Sequence, residues 1–473
     1  MNNIKMKATK IPVPTYSSSR NACKLCSPLG ASVAFKGIEG CVPIIHGSQG
    51  CATYIRRYMI SHYKEPVDIA SSNFSESTTI YGGNKNFVQG INNVIRQYNL
   101  QIIGIATTCL SETIGEDVPS LIAEYNQTNE NRHDLPLFIH ASTPSYQGTH
   151  MDGFHEAVCS TVATLSKTGE TDPTLINIFP GFVSPADIRN LKEMLTTSGI
   201  NHIILPDYSE SLDNPFWKDY HLIPEGGTPI RQIMDTGCAT ASIEFGTVLN
   251  KGALAGRVKS TKKITTAGEW LESQYKIANS QIIMPIGIDA TDHFIKIIEK
   301  LSGKKIDEKY YLQRGRLIDS YVDGHKYVFG KRAIIFGEED LVIGITSFLK
   351  EVGITPVIIG SGGESGYLRK VIAEQIGDLG EDTIILNGTD FESIRELAKD
   401  MNADFLIGNS KGYYIARELG IPLVRIGFPI HDRVGGSRIE HLFYSGAQQL
   451  FDTIVNTLLE YKQEHSPIGY KYM

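Results

Sequence analysis

No apolar run in the 473-residue sequence approaches the length of a membrane span, and the N-terminal stretch carries three lysines without an apolar core segment. Neither a spanning helix nor a secretory leader is therefore expected, and the cytoplasm is the expected location. A surplus of positive charge is also missing. Lys and Arg number 45 against 52 Asp and Glu, the net charge is −7 and the pI is near 6.0. Without a basic face, nucleic acid and anionic membranes are not expected partners. Cysteine is sparse and odd in number: seven thiols in a chain of this length do not make a disulfide framework, which leaves reduced thiols and metal ligation. The Gly360-Ser361-Gly362-Gly363-Glu364-Ser365-Gly366 segment lacks the lysine of a Walker loop and the spacing of a dinucleotide fingerprint, so no nucleotide is expected there.

What the sequence does hold is a set of cysteines at turns. Cys26 lies in Leu25-Cys26-Ser27-Pro28-Leu29-Gly30, Cys51 closes Ile45-His46-Gly47-Ser48-Gln49-Gly50-Cys51, and Cys109 lies in Thr107-Thr108-Cys109-Leu110-Ser111. Val42 to Ile45 reads as a buried strand, and Cys51 opens an amphipathic helix with Tyr54, Ile55, Tyr58, Met59 and His62 on one face. A thiol at a helix start meets unpaired N–H groups and the positive end of the dipole, which favour the thiolate that binds iron. Cys109 follows the apolar run Ile102 to Ala106, at the strand end where open α/β sheets place ligands. Cys23 and Cys26 form a Cys-x-x-Cys, but no strand leads into it as a thioredoxin-like site requires. Cys41, Cys159 and Cys238 read as small buried hydrophobes.

Strand-like runs alternate with helical periodicity along most of the chain. The length predicts two to four domains. The division read from the sequence is an N-terminal arm at 1–20, an α/β domain carrying the cysteines at 21–170, a second α/β domain at 171–285, a helical connection at 286–330, and a third α/β domain with a C-terminal helix at 331–473. Three doubly wound, Rossmann-like parallel-sheet domains are the predicted fold. In the second, Ser184-Pro185-Ala186-Asp187 supplies an N-cap, a proline at N1 and an early acid for a helix to Thr197. Near the end, Leu450, Phe451, Ile454, Val455, Leu458 and Leu459 form the core face of a helix from about 447 to 463.

Together with the three cysteines, several motifs resemble the β subunit of the nitrogenase component 1 family: the molybdenum-iron protein and its vanadium, iron-only and nitrogenase-like relatives. The motifs are His62-Tyr63-Lys64-Glu65-Pro66, Tyr81-Gly82-Gly83-Asn84, Thr143-Pro144-Ser145, Arg314-Gly315-Arg316-Leu317, Gly408-Asn409-Ser410 and Arg425-Ile426-Gly427-Phe428-Pro429-Ile430. The resemblance covers nearly the whole chain. It implies that Cys26, Cys51 and Cys109 supply half the ligands of an eight-iron, seven-sulfur P-cluster shared with an α-type subunit. It implies that Ser145 lies beside that cluster and ligates iron when it is oxidised.

The same resemblance implies an α2β2 assembly served by a dimeric iron–sulfur ATPase reductase, the Fe protein, with Tyr81 near the docking surface. It also implies a divalent cation at a β–β contact, held by Glu65 of one copy and Asp319 and Asp323 of the other. The two aspartates are four apart and share a face if their stretch is helical. The short N-terminal arm looks more like alternative or nitrogenase-like members than the molybdenum type. Gly115-Glu116-Asp117 departs from the family's Gly-Asp-Asp or Gly-Asp-Asn after the third cysteine. The α subunit's cofactor ligands have no counterpart, so the chain relays electrons rather than reducing substrate itself. Two other readings follow from the same residues. One is a scaffold for cofactor assembly, disfavoured because such subunits keep only the middle cysteine. The other is the relay subunit of a methylthio-alkane reductase, whose distinguishing pocket lies in the partner chain.

Overall fold

Buried apolar runs, each bounded by a turn or a capped helix, assemble into three parallel sheets. The computed structural model describes residues 23–98, 100–132, 135–248 and 265–468, so the expected arm at 1–20 lies outside the described residues. The first sheet comprises β1 (Cys41–His46), β2 (Ala70–Ser71), β3 (Ile102–Thr107) and β4 (Leu137–Ala141) in the order β2-β1-β3-β4. The second comprises β5 (Asp172–Phe179), β6 (His202–Ile204), β7 (Ala239–Phe245) and β8 (Ala278–Ile282) in the order β6-β5-β7-β8. The third comprises β9 (Arg332–Gly337), β10 (Thr355–Ser361), β11 (Ile384–Leu386), β12 (Phe405–Gly408) and β13 (Leu423–Arg425) in the order β11-β10-β9-β12-β13. Every neighbouring pair is parallel. β1 and β3 are buried at every position, as strands with both faces covered must be.

Register is what positions the cysteines. β1 pairs with β3 from Cys41 opposite Ile102 to His46 opposite Thr107, so the two strands end side by side. The chain leaves one end toward Cys51 and the other toward Cys109. Cys26 reaches the same place by a different route. The helix Ser27–Lys36 is buried throughout and lies against the helix His150–Leu165. A Cβ on Gly30 would stand 1.6 Å from the His150 carbonyl oxygen, and one on Gly153 would stand 1.9 Å from that of Ser27. Only glycines at these two points allow the backbones to touch.

The helix Pro185–Thr197 has the expected cap, with Ser184 accepting from the Asp187 N–H in a capping box. The Asp187 carboxylate does more than cap. It accepts the N–H groups of His441 (2.7 Å) and Leu442 (2.9 Å), tying the second unit to the entry of the C-terminal helix Phe443–Glu464. That helix begins four residues before the predicted start and buries Leu450, Phe451, Ile454, Val455 and Leu458 against the helix Glu308–Val328 and its surroundings. Leu459 is only partly buried.

Two further expectations change in detail. Cys51 is the third residue of the helix Gln49–Tyr63, with Ser48 as N-cap, rather than its first. Tyr54 is not on the buried face: it is 37% exposed, because the inward stripe is the narrower set Ala52, Ile55, Met59, His62 and Tyr63. Among the described residues no helix is long and apolar enough to cross a membrane.

Candidate metal centre

The three sequence-singled cysteines each sit at the start of a helix. Cys26 is the N-cap of Ser27–Lys36, Cys51 lies in the first turn of Gln49–Tyr63, and Cys109 is the first residue of Cys109–Thr113. All three are half-buried and all seven cysteines are free. The structure brings the three together with Ser145. The Ser145 hydroxyl accepts the Ser27 N–H at 3.1 Å, and the Ser145 N–H donates to Cys109 Sγ at 3.2 Å. Ser48 Oγ donates to Cys51 Sγ at 3.4 Å. Burial pushes the Cys26 thiol above its usual range, the Ser145 hydrogen bond pulls it back, and the charges of Cys109 and Cys51 raise it further. Three thiols near enough to repel one another as thiolates are a soft donor set that a shared cationic centre would relieve. Among the described residues no three of His, Cys, Asp and Glu converge on a single ion.

The shelf beneath these groups is cross-linked. Glu112 accepts from Thr107 Oγ1 at 2.5 Å and from Ser142 Oγ at 2.7 Å, while Thr143 N–H and Oγ1 bond Thr107 at 2.9 and 2.7 Å. The end of β3, which leads to Cys109, and the loop after β4, which carries Ser145, thus move as one piece. Thr108 N–H reaches the His46 carbonyl at 3.3 Å, which joins the end of β1 to the same piece.

Glu116, the departure from the family pattern, spans two segments: Oε1 accepts the Gly83 N–H at 2.6 Å and Oε2 lies 3.4 Å from His46 Nε2. Burial holds His46 below the usual histidine range, so the ring is neutral near pH 7 despite Glu116. A few residues away Tyr81 is 86% exposed and Ile80 74% exposed, both at the end of the short helix Glu76–Tyr81.

Asp319 and Asp323 share one exposed face of the helix Glu308–Val328. Glu65 is elsewhere, half-buried beside Asn214, its carboxyl raised by burial and by Asp213 and lowered by the Asn214 N–H. One chain does not gather these three acids into a metal-holding group. Cys23 is buried and burial pushes its thiol up to about 12, away from the thiolate form. Cys41 is buried as expected, but Cys159 and Cys238 are half-buried.

Lys411 was not singled out in the sequence. Burial lowers its pKa and the thiols of Cys23 and Cys26 raise it again, which places a cation from the third unit beside the cluster of thiols. Its only sequence signal is its position directly after Gly408-Asn409-Ser410.

A family model described as nitrogenase component 1 type oxidoreductase matches residues 26–459. This chain belongs to that family. It is 35% identical to the nitrogenase molybdenum-iron protein beta chain of Clostridium pasteurianum over 93% of both chains. It is 34% identical to that of Methanothermobacter marburgensis, over 94% of this chain and 96% of the other. Among solved structures, one titled "Nitrogenase Cp1 at pH 6.5" superposes with a TM-score of 0.89 at 33% identity, covering 98% of both chains. The chain is accordingly a subunit of a nitrogenase-type oxidoreductase with the three-unit fold of component 1.

Proposed function

We propose that this chain is the electron-relay β subunit of a nitrogenase or nitrogenase-like reductase, paired with an α-type chain as α2β2. The observation that carries the reading is the convergence of Cys26, Cys51, Cys109 and Ser145 at three helix starts and one strand-end loop. Cys26, Cys51 and Cys109 would hold one half of the 8Fe-7S P-cluster, and the α-type chain the other. When bound, that cluster supplies reversible electron storage between the Fe protein and the α-chain cofactor. The protein's part is thiolate ligation, hydrogen bonds to sulfur from Ser145 N–H and Ser48 Oγ, and partial exclusion of water. Ser145, hydrogen-bonded between the Cys26 and Cys109 segments, would supply an oxygen donor to the oxidised cluster.

The remaining parts of the proposal follow the same logic. The exposed Tyr81 edge is the docking face for the Fe protein, an aromatic suited to a contact centre. Asp319 and Asp323 face a second β copy, whose Glu65 completes a site for a divalent cation. The three α/β units divide near residues 170 and 286–330, and the complex works in the cytoplasm. A scaffold role is disfavoured because three thiols and Ser145 are all present. Replacing Cys109 with alanine should remove most cluster iron from the purified complex. Wild-type iron content and spectra in that variant would refute the ligand assignment.

A further inference from the structure

The glycine-rich segment 360–366 continues from the end of β10 in the third unit and lies directly on the strap that leads into Cys26. A Cβ on Gly362 would stand 2.3 Å from the Cys23 carbonyl oxygen, so only a glycine lets the two backbones lie flat together. At the next strap residue, Lys24 Nζ lies 3.3 Å from Glu364 Oε1. This pair is partly exposed and contributes little energy.

The third strap residue is held from within. Leu25 N–H donates to His150 Nδ1 at 3.3 Å, and His150 N–H donates to the Leu25 carbonyl at 3.0 Å. His150 Nε2 in turn lies 2.8 Å from Glu338 Oε1, with both residues buried. Because Nδ1 is occupied as an acceptor, the ring proton is on Nε2 and is donated to Glu338. Glu338 belongs to the third unit: it follows β9 and is the N-cap of the helix Glu339–Glu351. Three consecutive residues are thus gripped by the third unit, two directly and one through His150. The fourth is Cys26.

We infer that the third α/β unit is a positioning element for Cys26, acting through the 360–366 loop and the Glu338–His150–Leu25 hydrogen-bond chain. It sets where the Cys26 sulfur stands relative to Cys109 and Ser145, which lie on a shelf built from the first unit alone. The inference rests on Cys26 being a cluster ligand. Groups that orient a ligand from behind affect metal retention and redox potential even though they never touch the metal.

The test uses the complete complex purified with its partner chain. Two quantities are read: the rate at which a chelator strips iron, and the cluster midpoint from redox-titrated EPR. Glu338→Ala and Gly362→Ala should each lose iron roughly tenfold to a hundredfold faster, the range typical of such supporting groups, and each should shift the midpoint. Glu338→Gln should stay near wild type, because its amide oxygen still accepts the His150 proton. Ile454→Val, in the C-terminal helix away from the strap, should move neither readout. Wild-type rates and midpoints in both Glu338→Ala and Gly362→Ala, alongside iron loss in Cys26→Ala, would overturn the positioning role. Retention of wild-type iron by Cys26→Ala would overturn the ligand reading instead. Should Glu338→Ala fail to assemble, Gly362→Ala decides alone.

Discussion

A carboxyl group kept from water behaves unlike its relatives on the surface, and Glu339 is the clearest case here. It accepts from Ser365 Oγ at 2.7 Å and Asn387 Nδ2 at 2.9 Å, yet burial pushes its pKa up to about 8. In the unfolded chain a glutamate titrates near ~4.3. Between those values the folded state binds the extra proton, so stability falls as pH rises from about 4.5 to about 8. Glu339→Gln keeps the acceptor and removes the titration. Its thermal midpoint should match wild type near pH 4 and exceed it at pH 8.5, and parallel curves across that window would contradict the burial argument. At this scale the sequence revealed the thiols, since a cysteine at a turn before an apolar periodic stretch is visible locally. It could not reveal by periodicity that Ser145 meets Ser27, 118 residues away. Lys411 and Glu338 were hidden for the same reason: each reaches the Cys26 region through tertiary packing between units.

Among elements, strands made of Ile, Val and Phe were legible, and those made of small or polar residues were not. β7 (Ala-Thr-Ala-Ser-Ile-Glu-Phe) and β8 (Ala-Asn-Ser-Gln-Ile) carry no run of large apolar residues. What holds them is a hydrogen-bond cluster around one buried carboxylate. The buried Glu244 accepts Thr266 Oγ1 at 2.7 Å, Gly268 N–H at 2.8 Å and Asn279 Nδ2 at 2.8 Å. The helix Glu308–Val328 was expected, but not its outer face. Leu312 is 55% and Val322 71% exposed, beside the exposed Asp319 and Asp323. An apolar stripe carrying two acids on one helix suits a contact between two copies. Val322→Glu should therefore convert the α2β2 complex to smaller species in analytical ultracentrifugation while leaving the iron per cluster unchanged. An unaltered tetramer would place the β–β contact elsewhere. Asp319→Asn combined with Asp323→Asn should lower divalent-cation content in the tetramer without loss of iron, as measured by elemental analysis.

For the molecule as a whole, three parallel sheets share one continuous apolar core, which reaches from the cysteine-bearing helices to the C-terminal helix. That continuity lets residues from the first and third units meet around Cys26 while the Tyr81 edge stays open to a partner. Tyr81→Ala should weaken Fe protein binding, read as a higher reductase concentration for half-maximal electron transfer, with no change in cluster iron. The fold was legible because strand and helix periods alternate cleanly over most of the chain. The proposed assembly rests on resemblance, because a partner chain leaves no mark on the periodicity of this sequence. The most direct test of the relay role is redox-titrated EPR of the purified complex with its reductase, comparing wild type with Ser145→Gly. The prediction is an eight-iron cluster in both, with a shifted midpoint and altered pH dependence of the oxidised couple in the variant, and slower electron delivery to the α-chain cofactor. A wild-type complex holding only a four-iron cluster and supporting no ATP-dependent substrate reduction would contradict the relay and make the chain a scaffold.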